Sequence, residues 1–181
     1  MRRVLLSCLF VLLLAGCLGG VVGDDPRTTE RHDVTVVEVV DGDTVEVEYP
    51  NGTRETVRLL GVDTPEVHAE NDPAEFEGVP DTETGRDCLR DWGHRSSEFA
   101  RTELAGEEVT LVVDPESDRR GGYGRLLAYV EYDGGHFNRQ LVDRGYARLY
   151  DTEFADRDQY ADAERRARAN GTGLWSCADG S

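Results

Sequence analysis

The chain contains no lysine and no isoleucine, and each of its 20 permanently positive side chains is an arginine. Aspartate and glutamate number 37, which gives a formal net charge of −17 at pH 7. This shortage of positive charge argues against the broad basic face that most nucleic-acid-binding domains carry. The histidines show no close metal-ligand spacing, which argues against zinc hydrolysis. With no internal repeat, 181 residues fit one domain with its own core better than two.

The excess of acidic residues, with arginine in place of lysine, is typical of proteins from halophilic archaea. At molar salt the Debye length is about 3 Å, so diffuse surface charge neither attracts nor repels at range. An acidic surface then keeps a protein hydrated while salt screens its self-repulsion. We therefore favour adaptation to high salt. The alternative is a moderately acidic protein of an ordinary-salt organism with biased codon usage.

The N-terminus has the pattern of an export signal. Arg2 and Arg3 precede an apolar run over residues 4–14, which is too short to span a bilayer in the ordinary way. The run ends in Leu-Ala-Gly-Cys, similar to a lipoprotein box with Cys17 as the lipidated residue. Residues 1–16 are thus predicted to be a lipoprotein-type signal peptide and residues 17–33 a flexible tether. A plain secretory signal or a twin-arginine signal remains an alternative.

Two cysteines, Cys88 and Cys177, remain after the signal and the lipid site are set aside. An exported domain lies in an oxidising compartment, where a disulfide between them is possible. Such a bond would close a long loop and hold the C-terminus in place. Two independent thiols are the alternative, because sequence alone cannot show that the side chains meet.

Alternation of apolar residues and turn signals predicts a single α+β domain over residues 34–177, with a tail at 178–181. Strands are predicted over residues 34–40, 44–49, 55–60, 108–113 and 125–132. Helices are predicted over residues 96–104, after a cap at Asn138, and over residues 160–169, and residues 67–92 read as a long loop. This order indicates a mainly β five-stranded OB-fold barrel with about three flanking helices.

Three segments carry the chemistry that phosphodiester hydrolysis requires: residues 40–44 (VDGDT), 58–66 (RLLGVDTPE) and 123–129 (YGRLLAY). Asp43 and Asp63 offer carboxylates to a hard cation such as Ca²⁺, and Pro65 biases Thr64 toward an extended geometry that would aim its carbonyl at the same ion. A base must also activate water while cations clamp the phosphate.

Glu66 is the candidate base, and Arg58 and Arg125 are the candidate phosphate clamps, because guanidinium binds phosphate in a bidentate manner. Each segment alone is more often structural: Asp-Gly-Asp is a common turn, and an isolated strand arginine usually faces solvent. Their joint occurrence in this order favours the functional interpretation.

With the further motifs Asn138, Leu141-Val142, Gly145-Tyr146-Ala147 and residues 171–175 (GTGLW), the chain resembles the staphylococcal nuclease (thermonuclease) family. The resemblance covers roughly residues 34–177. It implies an OB-fold nuclease that uses calcium and acts on DNA and RNA.

By this resemblance, Asp43 and Asp63 bind the metal through their side chains and Thr64 binds it through its carbonyl, with Asp41 in support. Glu66 is or positions the general base, and Arg58 and Arg125 hold the phosphate. Tyr123 is expected to lie beside the nucleotide.

Some features depart from the family pattern. The loop after Glu66 is longer, and the loop before Tyr123 carries Arg119 and Arg120, which are either a phosphate funnel or solvated charges. The base-stacking tyrosine of the family has no clear counterpart, although Tyr146 and Tyr150 lie near its place.

The expected protein is a monomeric nuclease at the outer face of the cytoplasmic membrane, or secreted, with DNA or RNA as substrate. A catalytically inactive OB-fold module that binds nucleic acid or protein is the alternative. Retention of Arg58, Glu66 and Arg125 together with both metal carboxylates favours the enzyme.

Overall fold

A computed structural model describes residues 29–179 of the protein. The elements found there, in chain order, are β1 (Glu30–Asp41), β2 (Thr44–Glu48), β3 (Arg54–Leu59), β4 (Val62–Asp63), α1 (Glu83–Leu104), β5 (Glu108–Val113), β6 (Leu126–Tyr132), β7 (Gly135–His136), α2 (Phe137–Asp143), β8 (Arg148–Leu149) and α3 (Arg157–Ala169), with 3₁₀ turns at Pro73–Glu75 and Gly173–Asp179. None of the helices in this range is long and apolar enough to cross a membrane.

Five strands close into a barrel, as the sequence predicted. β1 pairs antiparallel with β2 and β5, β2 pairs with β3, and β5 pairs with β6. The parallel pairing of β3 with β6 closes the ring. β7 adds a short strand to β6, while β4 and β8 form a separate two-stranded ladder. Closure removes the exposed sheet edges, and three helices pack outside the barrel.

The main core fills the barrel with inward-facing side chains from every barrel strand. Val36, Val57, Leu111 and Val130 are fully buried there, and Leu104 of α1 packs onto the same cluster. Alternation in β1 follows the expected period of two as far as Val36 and then breaks, because the pairing with β2 is irregular between Val36 and Glu38 and again between Val39 and Asp41. Such bulges re-aim the residues that follow them. The second one lies directly before the turn that carries Asp43.

Helix α1 is much longer than predicted, since it begins at Glu83 and residues 83–92 of the expected loop are helical. Thr82 caps it by accepting a hydrogen bond from the Gly85 N–H (3.1 Å). Apart from Leu89, the buried residues in the first half of this helix are the glycines Gly85 and Gly93, so the apolar periodicity that signals a helix is weak there. The predicted loop is confined to residues 67–82.

Asn138 was predicted to cap α2 but lies inside that helix. The residue that precedes α2 is His136, whose side chain makes no capping bond. Asn138 is fully buried, and its amide donates to the carbonyls of Leu60 (3.0 Å) and Ala128 (3.1 Å) while its oxygen accepts from the Val130 N–H (2.9 Å). One side chain thus satisfies three buried backbone groups where α2 meets the barrel.

A second, smaller core lies under the C-terminal 3₁₀ turn. It contains Phe76, Leu89, Leu174 and Trp175, among others, so it joins the loop, α1, α3 and the C-terminus. Cys88 of α1 and Cys177 are joined here by a disulfide, with their Cα atoms 5.8 Å apart. The pairing that the sequence left open is present in the structure.

The domain is slightly longer than predicted at both ends. β1 begins at Glu30, so residues 30–33 of the predicted tether pair with β5. At the other end the 3₁₀ turn continues to Asp179, two residues into the predicted tail. The signal peptide, Cys17, tether residues 17–28 and the last two residues lie outside the described residues.

Candidate active site

Asp43 lies in the two-residue turn between β1 and β2, with its side chain only 1% exposed. The Asp41 carboxylate accepts a hydrogen bond from the Asp43 N–H (3.2 Å), which shapes the turn. The Asp43 carboxylate itself accepts from the Thr64 N–H (2.8 Å), the Thr64 hydroxyl (3.0 Å) and the Thr44 hydroxyl (3.0 Å). This bonding fixes a buried negative charge at the end of the barrel.

Arg58, near the end of β3, lies between two carboxylates. Its guanidinium contacts Asp43 Oδ1 through one nitrogen and Asp63 Oδ1 through another, the latter at 2.5 Å. Asp63 belongs to β4, which follows β3 after the tight turn at Gly61. Neighbouring segments of chain thereby bring Arg58, Asp43 and Asp63 together.

Arg148 is a fourth charged residue of this group, and the sequence analysis missed it. It lies on β8 opposite Asp63, and its Nη2 contacts Asp63 Oδ2 at 2.8 Å and Glu75 Oε2 at 3.4 Å. The side chain is 17% exposed, with its guanidinium 5.4 Å above the Phe76 ring. No sequence signal identifies it, because its partner on β4 is 85 residues away along the chain.

Glu66 has an exposed side chain but a closely held backbone. The buried amide of Asn71 donates to the Glu66 carbonyl (2.9 Å), and its oxygen accepts from the Glu66 N–H (2.7 Å). From the other side α1 approaches at Gly93, where a Cβ atom would lie 2.5 Å from the Pro65 carbonyl oxygen and 3.2 Å from that of Glu66. The candidate base thus projects into solvent from a fixed piece of backbone.

Arg125 and Tyr123 lie just before β6. Arg125 donates to the Thr44 hydroxyl (3.3 Å), and Thr44 in turn donates to Asp43, so the two parts of the site are linked. The Tyr123 ring is 90% exposed, with the Arg125 guanidinium 5.6 Å from its centre. Arg125 forms no ion pair with any residue in the range 29–179, which leaves its charge available to an anion.

The site offers hard oxygen donors but few of them. Within residues 29–179 no group of three or more histidine, cysteine, aspartate or glutamate side chains could hold a metal ion. A cation at this end of the barrel would therefore have Asp43 and Asp63 as its charged ligands. Both now contact Arg58, so their charges converge on one position.

A family model described as staphylococcal nuclease homologue matches residues 56–177 of this chain. The chain belongs to the staphylococcal nuclease family. This agrees with the closed barrel and confirms the resemblance on which the site residues were chosen.

Relatives in the family come from archaea and bacteria. An uncharacterised protein of Methanocaldococcus jannaschii is 42% identical over 82% of this chain and 74% of its own length. Thermonuclease of Staphylococcus hyicus is 30% identical over 78% of this chain and 74% of its own length. Endonuclease YncB of Bacillus subtilis is 33% identical over 80% of this chain, which spans 62% of that protein.

The remaining candidates lie in the segments where the sequence departs from the family pattern. Arg119 pairs with Glu30 and Arg120 with Glu55 at 2.5 Å, so neither guanidinium is free as a phosphate funnel in this structure. The hydrogen bond from Arg119 lowers the pKa of Glu30 to about 2. Tyr150 is half exposed, whereas Tyr146 stacks on Phe99 with ring centres 4.6 Å apart.

Proposed function

We propose that this member of the family is a calcium-dependent nuclease that hydrolyses phosphodiester bonds of DNA or RNA. Relatives named thermonuclease and endonuclease support a nuclease function. The observation that carries the proposal is the meeting of Asp43, Asp63 and Arg58 at one end of the barrel, beside the firmly held backbone of Glu66.

The donor set fits Ca²⁺, which prefers carboxylate and carbonyl oxygens and takes about six to eight of them. Asp43 and Asp63 would hold the ion through their side chains and Thr64 through its carbonyl, with water as the remaining ligands. When bound, the ion supplies a Lewis acid that neutralises charge on the phosphate oxygens. Because Asp43 already accepts four hydrogen bonds, Arg58 would have to leave its present position for the ion to bind.

The chain's own residues then account for the remaining steps. Glu66, exposed and held through its backbone, accepts a proton from water as the water oxygen attacks phosphorus. The bond to the leaving oxygen breaks, and that oxygen takes a proton from the solvent. Arg125, which has no carboxylate partner in residues 29–179, and Arg58, once released from the two aspartates, bind the non-bridging oxygens and stabilise the charge that develops on them. Tyr123 offers an exposed ring beside Arg125 to the nucleotide.

The place of action follows from the N-terminal segment. The charged and apolar start, ending in Cys17, supports export and a lipid anchor on the outer face of the cytoplasmic membrane. The disulfide between Cys88 and Cys177 is consistent with an oxidising compartment. We expect the protein to act there as a monomer on nucleic acid from the surroundings, at high salt.

The test is digestion of single-stranded DNA by the domain in molar salt with calcium, with magnesium and with chelator. Calcium-dependent cleavage should fall by about a hundredfold or more in Glu66→Gln, which lacks the base, and in Arg125→Ala, which lacks the phosphate clamp. Arg101→Ala is the control, because Arg101 is exposed on α1 and, among residues 29–179, forms an ion pair only with Glu98. A folded domain that binds DNA or calcium without cutting would instead support the inactive binding module.

A further inference from the structure

The arginines of this acidic protein are almost all neutralised by carboxylates. Of those in residues 29–179, only three form no ion pair with a described residue: Arg95, Arg125 and Arg144. Arg125 is the phosphate clamp of the proposed function. The other two are exposed, and carboxylates close to them in the sequence, such as Glu98 and Asp143, pair with different arginines.

Both of these arginines lie over aromatic rings. The Arg95 guanidinium is 4.6 Å from the centre of the Trp92 ring, and that of Arg144 is 5.0 Å from the centre of the Phe99 ring. Stacking on a ring holds a guanidinium in place while its N–H donors still point outward in its plane. The two charges are thus positioned without being neutralised.

The rings under them form one continuous row. Trp92 contacts Tyr146 edge to face at 5.9 Å, and Tyr146 stacks on Phe99 at 4.6 Å. All three rings are half buried. We call this row, with Arg95 and Arg144 upon it, the arginine–aromatic strip.

The part of the strip on α1 belongs to the helix that packs against the candidate active site. Trp92, Arg95 and Phe99 follow the i, i+3, i+7 spacing of one helical face. The adjacent face carries Gly93 against the backbone of Pro65 and Glu66. Ser96 on that face donates to the Tyr146 carbonyl at 2.7 Å, so the loop that carries Tyr146 is fixed to α1 at this point.

We propose that the arginine–aromatic strip binds the phosphate backbone of a single-stranded nucleic acid on its way from the active site. The inference rests on the proposed nuclease function for the direction of the strand. The phosphate backbone is an anion with regularly spaced charges. The strip offers it two guanidinium groups that are held over rings and form no ion pair with a described residue, in an otherwise acidic surface. Phe99 is stacked between Tyr146 and Phe137, and the guanidinium groups lie over Trp92 and Phe99. The strip therefore offers guanidinium N–H donors, which bind phosphates rather than bases.

The experiment compares Arg95→Gln/Arg144→Gln with the control Arg101→Gln/Arg165→Gln, both in a Glu66→Gln background with calcium so that the strand stays intact. The control removes the same charge from exposed arginines that are already paired. The ligand is oligothymidylate of about 16 nucleotides, the upper end of the site size of a small single-strand-binding fold. Binding is measured from about 50 to 200 mM salt.

We expect the strip variant to bind about tenfold more weakly at the lowest salt. The slope of log affinity against log salt should fall by about 1.4, since each phosphate contact on a single strand contributes about 0.7. The control should bind as the parent does. With Glu66 restored, the strip variant should show a raised KM on the long strand, while its kcat/KM on a dinucleotide, too short to reach the strip, should match that of the wild type.

Equal weakening in both variants would overturn the proposal, because a general charge effect would then explain the data. Strip-dependent binding to vesicles of anionic phospholipid, with strand binding unchanged, would also overturn it in favour of a membrane contact. A wild type that cleaves neither the long strand nor the dinucleotide refutes the nuclease proposal. In that case the strip proposal is still decided by the binding data.

Discussion

Asn71 holds the backbone of Glu66 on both sides, through its amide and its carbonyl oxygen. Asn71→Ala removes both bonds while leaving the carboxylate in place. Because a displacement of about 1 Å can cost a hundredfold in rate, we expect kcat on single-stranded DNA to fall about ten- to a hundredfold, with KM little changed. Steady-state kinetics at saturating calcium measure this.

A control separates misplacement of the base from loss of the fold. Asn71→Asp keeps an oxygen that can accept from the Glu66 N–H but loses the donor to its carbonyl, so its rate should lie between wild type and Asn71→Ala. Thermal unfolding of each variant shows whether the domain remains folded under assay conditions. Unchanged kcat in folded Asn71→Ala would mean that Glu66 needs no such support.

For single residues, the sequence pointed to those that belong to motifs and missed those that hold the motif residues in position. Asp43, Arg58 and Asp63 lie in short, recognisable segments, and the structure brings them together. Arg148 carries no local pattern, since its partner Asp63 is far along the chain, and Asn71 belongs to none of the motifs although it contacts the nearby Glu66. The contacts of Arg119 could not be foreseen for the same reason, because its partner Glu30 is 89 residues earlier.

Helix α1 approaches the loop of the site where it carries a glycine. An alanine in a helix is normally about 1 kcal/mol more stable than a glycine. At Gly93 a new Cβ would lie 2.5 Å from the Pro65 carbonyl oxygen, so the helix or the loop must move. We expect Gly93→Ala to lower the free energy of unfolding by about 1–3 kcal/mol, as other overpacked sites do.

Denaturant unfolding of Gly93→Ala beside Asp91→Ala measures the effect. Asp91 is exposed on the same helix, so its replacement should be neutral or slightly stabilising through helix propensity alone. A Gly93→Ala protein more stable than wild type would contradict the close approach of α1 to the Pro65–Glu66 backbone.

The disulfide joins α1 to the C-terminal 3₁₀ turn and closes a loop of 89 residues. Loops of this length restrict the unfolded chain strongly, and native disulfides typically stabilise by about 2–4 kcal/mol. We expect Cys88→Ser/Cys177→Ser to lose about this much, which lowers Tm by roughly 4–16 °C for a domain of this size. Differential scanning calorimetry provides the measurement.

Reduction of the wild type is the matched control for this variant. Cys177 is buried, so a serine there adds the cost of a buried hydroxyl that a reduced cysteine does not. Wild type in reductant should therefore unfold between the oxidised wild type and the double variant. A Tm that does not respond to reductant would mean that the disulfide contributes no stability.

Secondary structure was predicted well where the apolar residues of a segment repeat with one clear period. The five barrel strands alternate clearly and were located within a few residues. The first half of α1 was missed because two glycines and a single leucine are its buried residues. That helix is determined by what it packs against, namely the Pro65–Glu66 backbone and the second core, rather than by its own apolar pattern.

For the molecule as a whole, composition predicted a strongly acidic protein but not which arginines pair with which carboxylates. A net charge of −17 implies self-repulsion, which the numerous arginine–carboxylate pairs at the surface offset only in part. Salt weakens both effects. Since exposed pairs contribute only about 0–1 kcal/mol each, while excess negative charge acts over the whole surface, we expect relief of repulsion to be the larger effect.

We therefore predict that Tm rises as potassium chloride increases from low to molar concentration. A rise of about 2–4 °C corresponds to roughly 1 kcal/mol for a domain of this size. Chloride is the suitable anion, because sulfate strengthens apolar burial whatever the charge of the protein. Near the isoelectric point, at about pH 4.5, the net charge vanishes and the same series should leave Tm almost unchanged. A salt effect of equal size at both pH values would mean that screening of net charge is not its cause.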